Sequence, residues 1–103
     1  MKKIIDGKRY DTSTAEVVAQ WENDYPQNDF NYCEETLYKT RKGNWFVAGE
    51  GGPMSAYAKS TGNSTTGGAD LRPLTADEAR QWMEDHNCTD ELEEHFPESI
   101  EDA

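Results

Sequence analysis

Leucine, isoleucine, valine and phenylalanine are scarce in this chain, numbering 13 of 103 residues together. A share that low beside a formal net charge of −11 excludes a large hydrophobic core and leans towards disorder. No apolar run is long enough to span a bilayer. The start, Met1-Lys2-Lys3-Ile4-Ile5-Asp6-Gly7, lacks the apolar stretch of a secretion signal. Cysteine is limited to Cys33 and Cys88. Without a secretion signal the expectation is reduced thiols in a cytoplasmic setting, where the Asn-x-Ser/Thr matches at Asn63 and Asn87 carry no meaning. Basic residues are also few, 10 against 21 acidic ones. That balance disfavours direct binding to nucleic-acid phosphates or anionic membranes.

Aromatic residues are what the chain does have: 3 Trp, 5 Tyr and 3 Phe. Each removes about 150–250 Å² from water when buried, enough to build a small core. The charge is also segregated. Residues 1–75 hold nine Lys/Arg and ten Asp/Glu, whereas residues 76–103 hold Arg80 alone against eleven acids. The composition therefore implies one aromatic-cored domain over residues 1–97, with an acidic, frayed tail over 98–103.

Lys2 to Asp11 reads as a hairpin turned at Asp6-Gly7, a pair that supplies the positive φ of primed turns. A helix is expected next. Ser13 and Glu16 form a capping-box pattern, and Thr14, Val17, Val18 and Trp21 fall on one helical stripe. Tyr32–Thr40 and Trp45–Ala48 favour two strands around a turn at Arg41-Lys42-Gly43-Asn44. The second strand is expected to be central because it has no polar face. Gly49–Pro53 reads as a break, Ser55–Lys59 as a single helical turn, and residues 60–68 as a mobile connector. Asp70–Leu74 is an edge strand because of Pro73. A second helix opens on the Thr75/Glu78 capping box and turns Ala79, Trp82, Met83 and His86 inward, ending at Asn87. A last short acidic helix, capped by Thr89 and ended by Pro97, docks through Leu92 and Phe96. The expected fold is thus α+β: an antiparallel sheet of roughly three to five strands, two amphipathic helices against it, and a short acidic C-terminal helix.

No motif carries specific chemistry. The glycines at 49–52 lack the following Lys-Ser/Thr of a phosphate cradle, and Glu50 among them would repel phosphate. Cys33, His86, Cys88 and His95 could total four metal ligands, but their spacing lacks the tight pairs of structural zinc, so no metal or cofactor is expected. His86 suits a core position instead. Glu34 and Glu35 could serve acid–base chemistry, but adjacent strand residues face opposite sides, so a solvated strand is the expected reading.

Several stretches together resemble a family of small proteins from Gram-positive bacteria and their phages and mobile elements. They are Ile5-Asp6-Gly7-Lys8-Arg9-Tyr10-Asp11-Thr12 with Thr14-Ala15, Glu35-Thr36-Leu37-Tyr38-Lys39-Thr40, Gly43-Asn44-Trp45-Phe46, Gly49-Glu50-Gly51-Gly52-Pro53-Met54-Ser55, and Pro73-Leu74-Thr75 with Glu78-Ala79. The resemblance spans about residues 3–86 and brings no catalytic assignment. It implies a genomic setting in which short acidic proteins inhibit host defences, as anti-CRISPR proteins do.

Three functions follow as expectations. The first is a non-enzymatic inhibitor whose Glu84, Asp85, Asp90, Glu91, Glu93, Glu94 and Glu98 mimic backbone phosphates. These residues would block the basic groove of a nucleic-acid-binding protein such as a CRISPR effector. The second is a protein–protein adaptor using Tyr32, Tyr38 and Trp45. The third is an enzyme centred on Glu50 and the glycine loop, which requires a deep pocket with converging polar groups.

Overall fold

Four antiparallel strands and a helical hairpin account for most of the buried residues. The computed structural model describes residues 1–103. It orders the chain as β1 (Lys2–Ile5), β2 (Lys8–Asp11), β3 (Glu16–Glu22), β4 (Cys33–Lys39), β5 (Trp45–Gly51), β6 (Lys59–Thr61), β7 (Ser64–Thr66), β8 (Gly68–Leu74), α1 (Ala76–Asp85) and α2 (Thr89–His95), with a 3₁₀ turn at Pro97–Ser99. The main sheet runs β3-β4-β5-β8, so the apolar β5 is interior and the proline-bearing β8 is an edge, as their sequences imply. The fold is α+β.

Alternation along β5 builds two cores on the two faces of this sheet. Trp45 and Val47 join Leu37 and Ala19 beneath Ala79, Trp82 and Met83 of α1. Phe46 points the other way and packs with Leu71 and with Tyr10 of the β1–β2 hairpin. The Phe46 ring meets Tyr10 edge-on at 5.5 Å and stacks on Tyr38 at 4.9 Å. Such pairs add about 0.5–1.5 kcal/mol each beyond their buried area. Only 13 of 103 residues are buried, so these few aromatics decide whether the chain folds.

The β1–β2 turn has Asp6 at φ 51° and Gly7 at 76°, the primed turn its sequence predicts. α1 has the expected capping box: Thr75 Oγ1 accepts from the Glu78 amide at 3.1 Å, and the Thr75 amide donates to Glu78 Oε1 at 2.9 Å. Asn87, at φ 57°, reverses the chain into α2. Leu92 and Phe96 then pack against the helix-side core, Phe96 lying 5.4 Å from the Trp45 ring.

Four expectations are corrected. The segment expected as a helix after Ser13 is strand β3. The Ser13 hydroxyl and amide both donate to Asp11 Oδ1, at 2.7 and 2.9 Å, so Ser13 closes a turn instead of capping a helix. Val17 and Val18 are β-branched, and a register shift sets Val17 opposite Tyr38 but Ala19 opposite Leu37, so the strand changes face between them. Gly49–Gly51 continue β5 instead of breaking it. The Tyr57 ring occupies the space a side chain at Gly49 would fill, and Ser55 does the same at Gly51. Residues 60–68 are not a featureless connector, because β6 and β7 pair around Gly62 at φ 66°. Finally, Thr89 is the first residue of α2 rather than its cap; Cys88 holds the cap position without a side-chain bond.

Candidate functional site

The seven carboxylates singled out in the sequence all lie on α1, α2 and the 3₁₀ turn. Glu84 and Asp85 form the last turn of α1, Asp90, Glu91, Glu93 and Glu94 lie on α2, and Glu98 is in the 3₁₀ turn. Six are exposed, and Glu91 is half-buried. The Asn87 reversal brings the end of α1 to the start of α2, so Glu84 and Asp85 share a corner of the molecule with Asp90 and Glu91.

Their charge is barely neutralised. Arg80 Nη1 bonds Glu84 Oε2 at 3.0 Å, and His95 Nε2 lies 3.9 Å from Glu94 Oε2. Asp85 accepts from the Gln81 amide at 2.9 Å, and none of the other five has a Lys or Arg within 4 Å. Asp90 and Glu91 are favourably placed in the first turn of α2. Glu84 and Asp85 are not: they oppose the carbonyl end of the α1 dipole, where no basic residue compensates. The dipole disfavours both acids, although Arg80 and Gln81 each hold one of them from the preceding turn.

Beneath α1 lies a second constellation, which the sequence did not reveal. Glu35, on the helix-side face of β4, accepts from Trp82 Nε1 at 2.9 Å through one oxygen and from the Tyr57 hydroxyl through the other. His86 Nε2 and Arg72 Nη2 each approach to 3.9 Å. His86 lies over Trp21 with the rings tilted by 30° and is set edge-on to Trp82, both at 4.5 Å. Burial holds its pKa below the ordinary histidine value, partly offset by Glu35. Burial, then the Glu35 carboxylate, pushes the Tyr57 hydroxyl well up. Both Glu35 oxygens are engaged in holding a helix and a loop to the sheet. This hub is therefore an anchor that ties α1 and the Tyr57 segment to β4.

Glu34 points to the opposite face, as strand geometry requires. There it is paired with Glu50 directly across β5 and accepts from the Tyr32 hydroxyl. Hydrogen bonding between the two carboxyls lowers the pKa of Glu34 and raises that of Glu50, and the bond to Glu34 pushes Tyr32 to about 12. The adjoining hollow of about 510 Å³, bordered by Tyr32, Glu50 and Gly51, is open to solvent. Split carboxyl affinities suit acid–base chemistry, but the deep, converging pocket that the enzyme reading requires is not found here.

The remaining candidates divide differently. Tyr32 and Trp45 are buried, whereas Tyr38 is half-buried and stacked on Phe46, so the three rings do not form one exposed face. Cys33 is buried on β4, Cys88 is half-buried at the start of α2, and no three His, Cys, Asp or Glu side chains are grouped to hold a metal ion. No family model matches the chain, and comparison with curated proteins and with solved structures finds no match either.

Proposed function

We propose that the chain is a non-enzymatic binding protein whose C-terminal helical hairpin engages a basic, nucleic-acid-binding surface on a protein partner. The observation that carries this reading is the exposed, largely unpaired carboxylate array on α1 and α2, including two acids placed against the α1 dipole. A surface that holds backbone phosphates offers Lys and Arg at spacings such an array can meet with charge-assisted hydrogen bonds. The field of the array also speeds encounter. The resemblance to proteins of phages and mobile elements makes the nucleic-acid groove of a CRISPR effector the partner to try first. The protein would then be an inhibitor of the anti-CRISPR type.

The test replaces Asp90, Glu93, Glu94 and Glu98 with lysine. All four are exposed, so the fold should survive. Guide-loaded effectors are assayed for target-DNA binding with wild-type and variant protein across a salt series. The proposal expects inhibition by the wild type that weakens steeply between about 50 and 200 mM salt and is lost in the variant. Inhibition that the four reversals leave unchanged would sink it, and so would inhibition indifferent to salt.

A further inference from the structure

We propose that the cleft between the β1–β2 and β4–β5 turns is an anion-binding site for closely spaced phosphates on one ligand. The cleft measures about 560 Å³ and is bordered by Lys8 and Arg9 from one hairpin and by Arg41 and Lys42 from the other. No hydrophobic residue lines it. None of its four cations has a carboxylate within 4 Å, although the chain holds more than twice as many acids as bases. Without carboxylate partners, these side chains are free to meet an anionic ligand.

Two features give the cleft a fixed width. Each tip is a tight turn: one has the positive φ values of Asp6 and Gly7. The other is closed by Thr40 and Asn44 bonds at 2.8 and 3.0 Å, with Gly43 at φ 87°. The hairpins are also pinned together at their base by the Tyr10–Phe46–Tyr38 ring cluster. The donors therefore stand on rigid stems, which lowers the ordering cost of holding a multivalent anion. With no aromatic or aliphatic residue in the lining, recognition rests chiefly on charge.

Net charge argues against any phosphate contact, but the average hides the distribution. The hairpin core and the helix core lie on opposite faces of the sheet, so the cleft and the acidic helices are separated by it. Fields from exposed charges decay over about 8 Å at physiological salt. This inference stands on the hairpin face and is independent of the function proposed for the helices.

The experiment titrates the full chain, at about 50 mM salt, against two probes: inorganic tripolyphosphate by calorimetry, and a fluorescently labelled ten-nucleotide single strand by anisotropy. The variants are Arg41→Ser with Lys42→Ser, and Lys8→Ser with Arg9→Ser. Lys2→Ser with Lys59→Ser makes the same charge change outside the cleft. Binding of either probe supports the site, and the tighter probe tells whether a free oligophosphate or a strand is the source. Each cleft variant should weaken binding about tenfold or more, while the control stays within about twofold. Four cations on a strand predict a log–log salt slope near −2.8, or about a fifty-fold loss from 50 to 200 mM salt. The slope should be about halved in each cleft variant. Binding of neither probe overturns the proposal, as does an equal loss in the control. Self-association of the chain through Arg41 and Lys42 without phosphate binding overturns it too, and assigns the cleft to the acidic face of a second copy.

Discussion

Replacing Glu35 with alanine should be among the most destabilising single changes to a polar residue in this protein. Glu35 has a side chain only 13% exposed and accepts from both Trp82 and Tyr57, so water screens these bonds little. Hydrogen bonds to a charged acceptor contribute about 1.5–3 kcal/mol each, and losing the acceptor also strands the Trp82 N–H beneath α1. Arg72 is half-exposed and 3.9 Å away, and adds little. The expected loss is about 3–5 kcal/mol, a large part of the 5–15 kcal/mol total of a typical domain. At about 4–8 °C per kcal/mol for a chain of this size, Tm should fall by 12 °C or more. Urea melts followed by tryptophan fluorescence would measure it. Glu35→Gln should lose about half as much, because the amide oxygen still serves Trp82 while its N–H₂ donates to the Tyr57 oxygen. A double-mutant cycle with Trp82→Phe isolates the shared bond and should return a coupling of about 1 kcal/mol or more. A Glu35→Ala loss below about 1 kcal/mol, or a coupling near zero, would refute the anchor.

Two further outcomes follow from neighbouring residues. Glu50→Gln should stabilise the protein by about 0.3–1 kcal/mol at neutral pH, because the amide removes a charge facing Glu34. Glu50's folded-state pKa is raised, so the pair is favourable at low pH and loses that advantage as pH rises through this value. The gain in Tm should therefore shrink towards pH 4 in thermal melts, and a gain that grows instead contradicts the assignment. Gly49→Ala would drive a methyl group into the Tyr57 ring and pull its hydroxyl from Glu35, at about 1–3 kcal/mol. Repeating the substitution in a Tyr57→Ala background should abolish the extra cost in urea melts, and a persistent penalty would place the strain elsewhere.

Two capping-box patterns show how far the sequence was legible. Thr75/Glu78 opens a helix because both reciprocal bonds form and Ala79, Trp82 and Met83 then find the sheet. Ser13/Glu16 does not, because Asp11, two residues before Ser13, offers its carboxylate to the Ser13 hydroxyl first. The stretch that follows fits either period, and pairing with β4 decides between them. The acidic surface was visible beforehand since charge is a property of composition. The Glu35 hub was not, because its partners come from a loop, an edge strand and a helix distant in sequence. The basic cleft escaped for a related reason: its two pairs of cations stand on different hairpins, and the net charge masks both.

The edges of the main sheet limit how any partner can attach. On one side β3 carries a register shift between Val17 and Ala19, with Glu16 and Glu22 at its ends; on the other β8 includes Pro73, which has no N–H to offer a further strand. Both are devices that discourage a foreign strand from extending a sheet. Main-chain zippering, a common way for small β-rich proteins to capture peptides, is therefore disfavoured here. Under the proposed function, recognition would then fall to side chains, and in a molecule so heavily charged ionic strength would set when a partner is held and when it is let go.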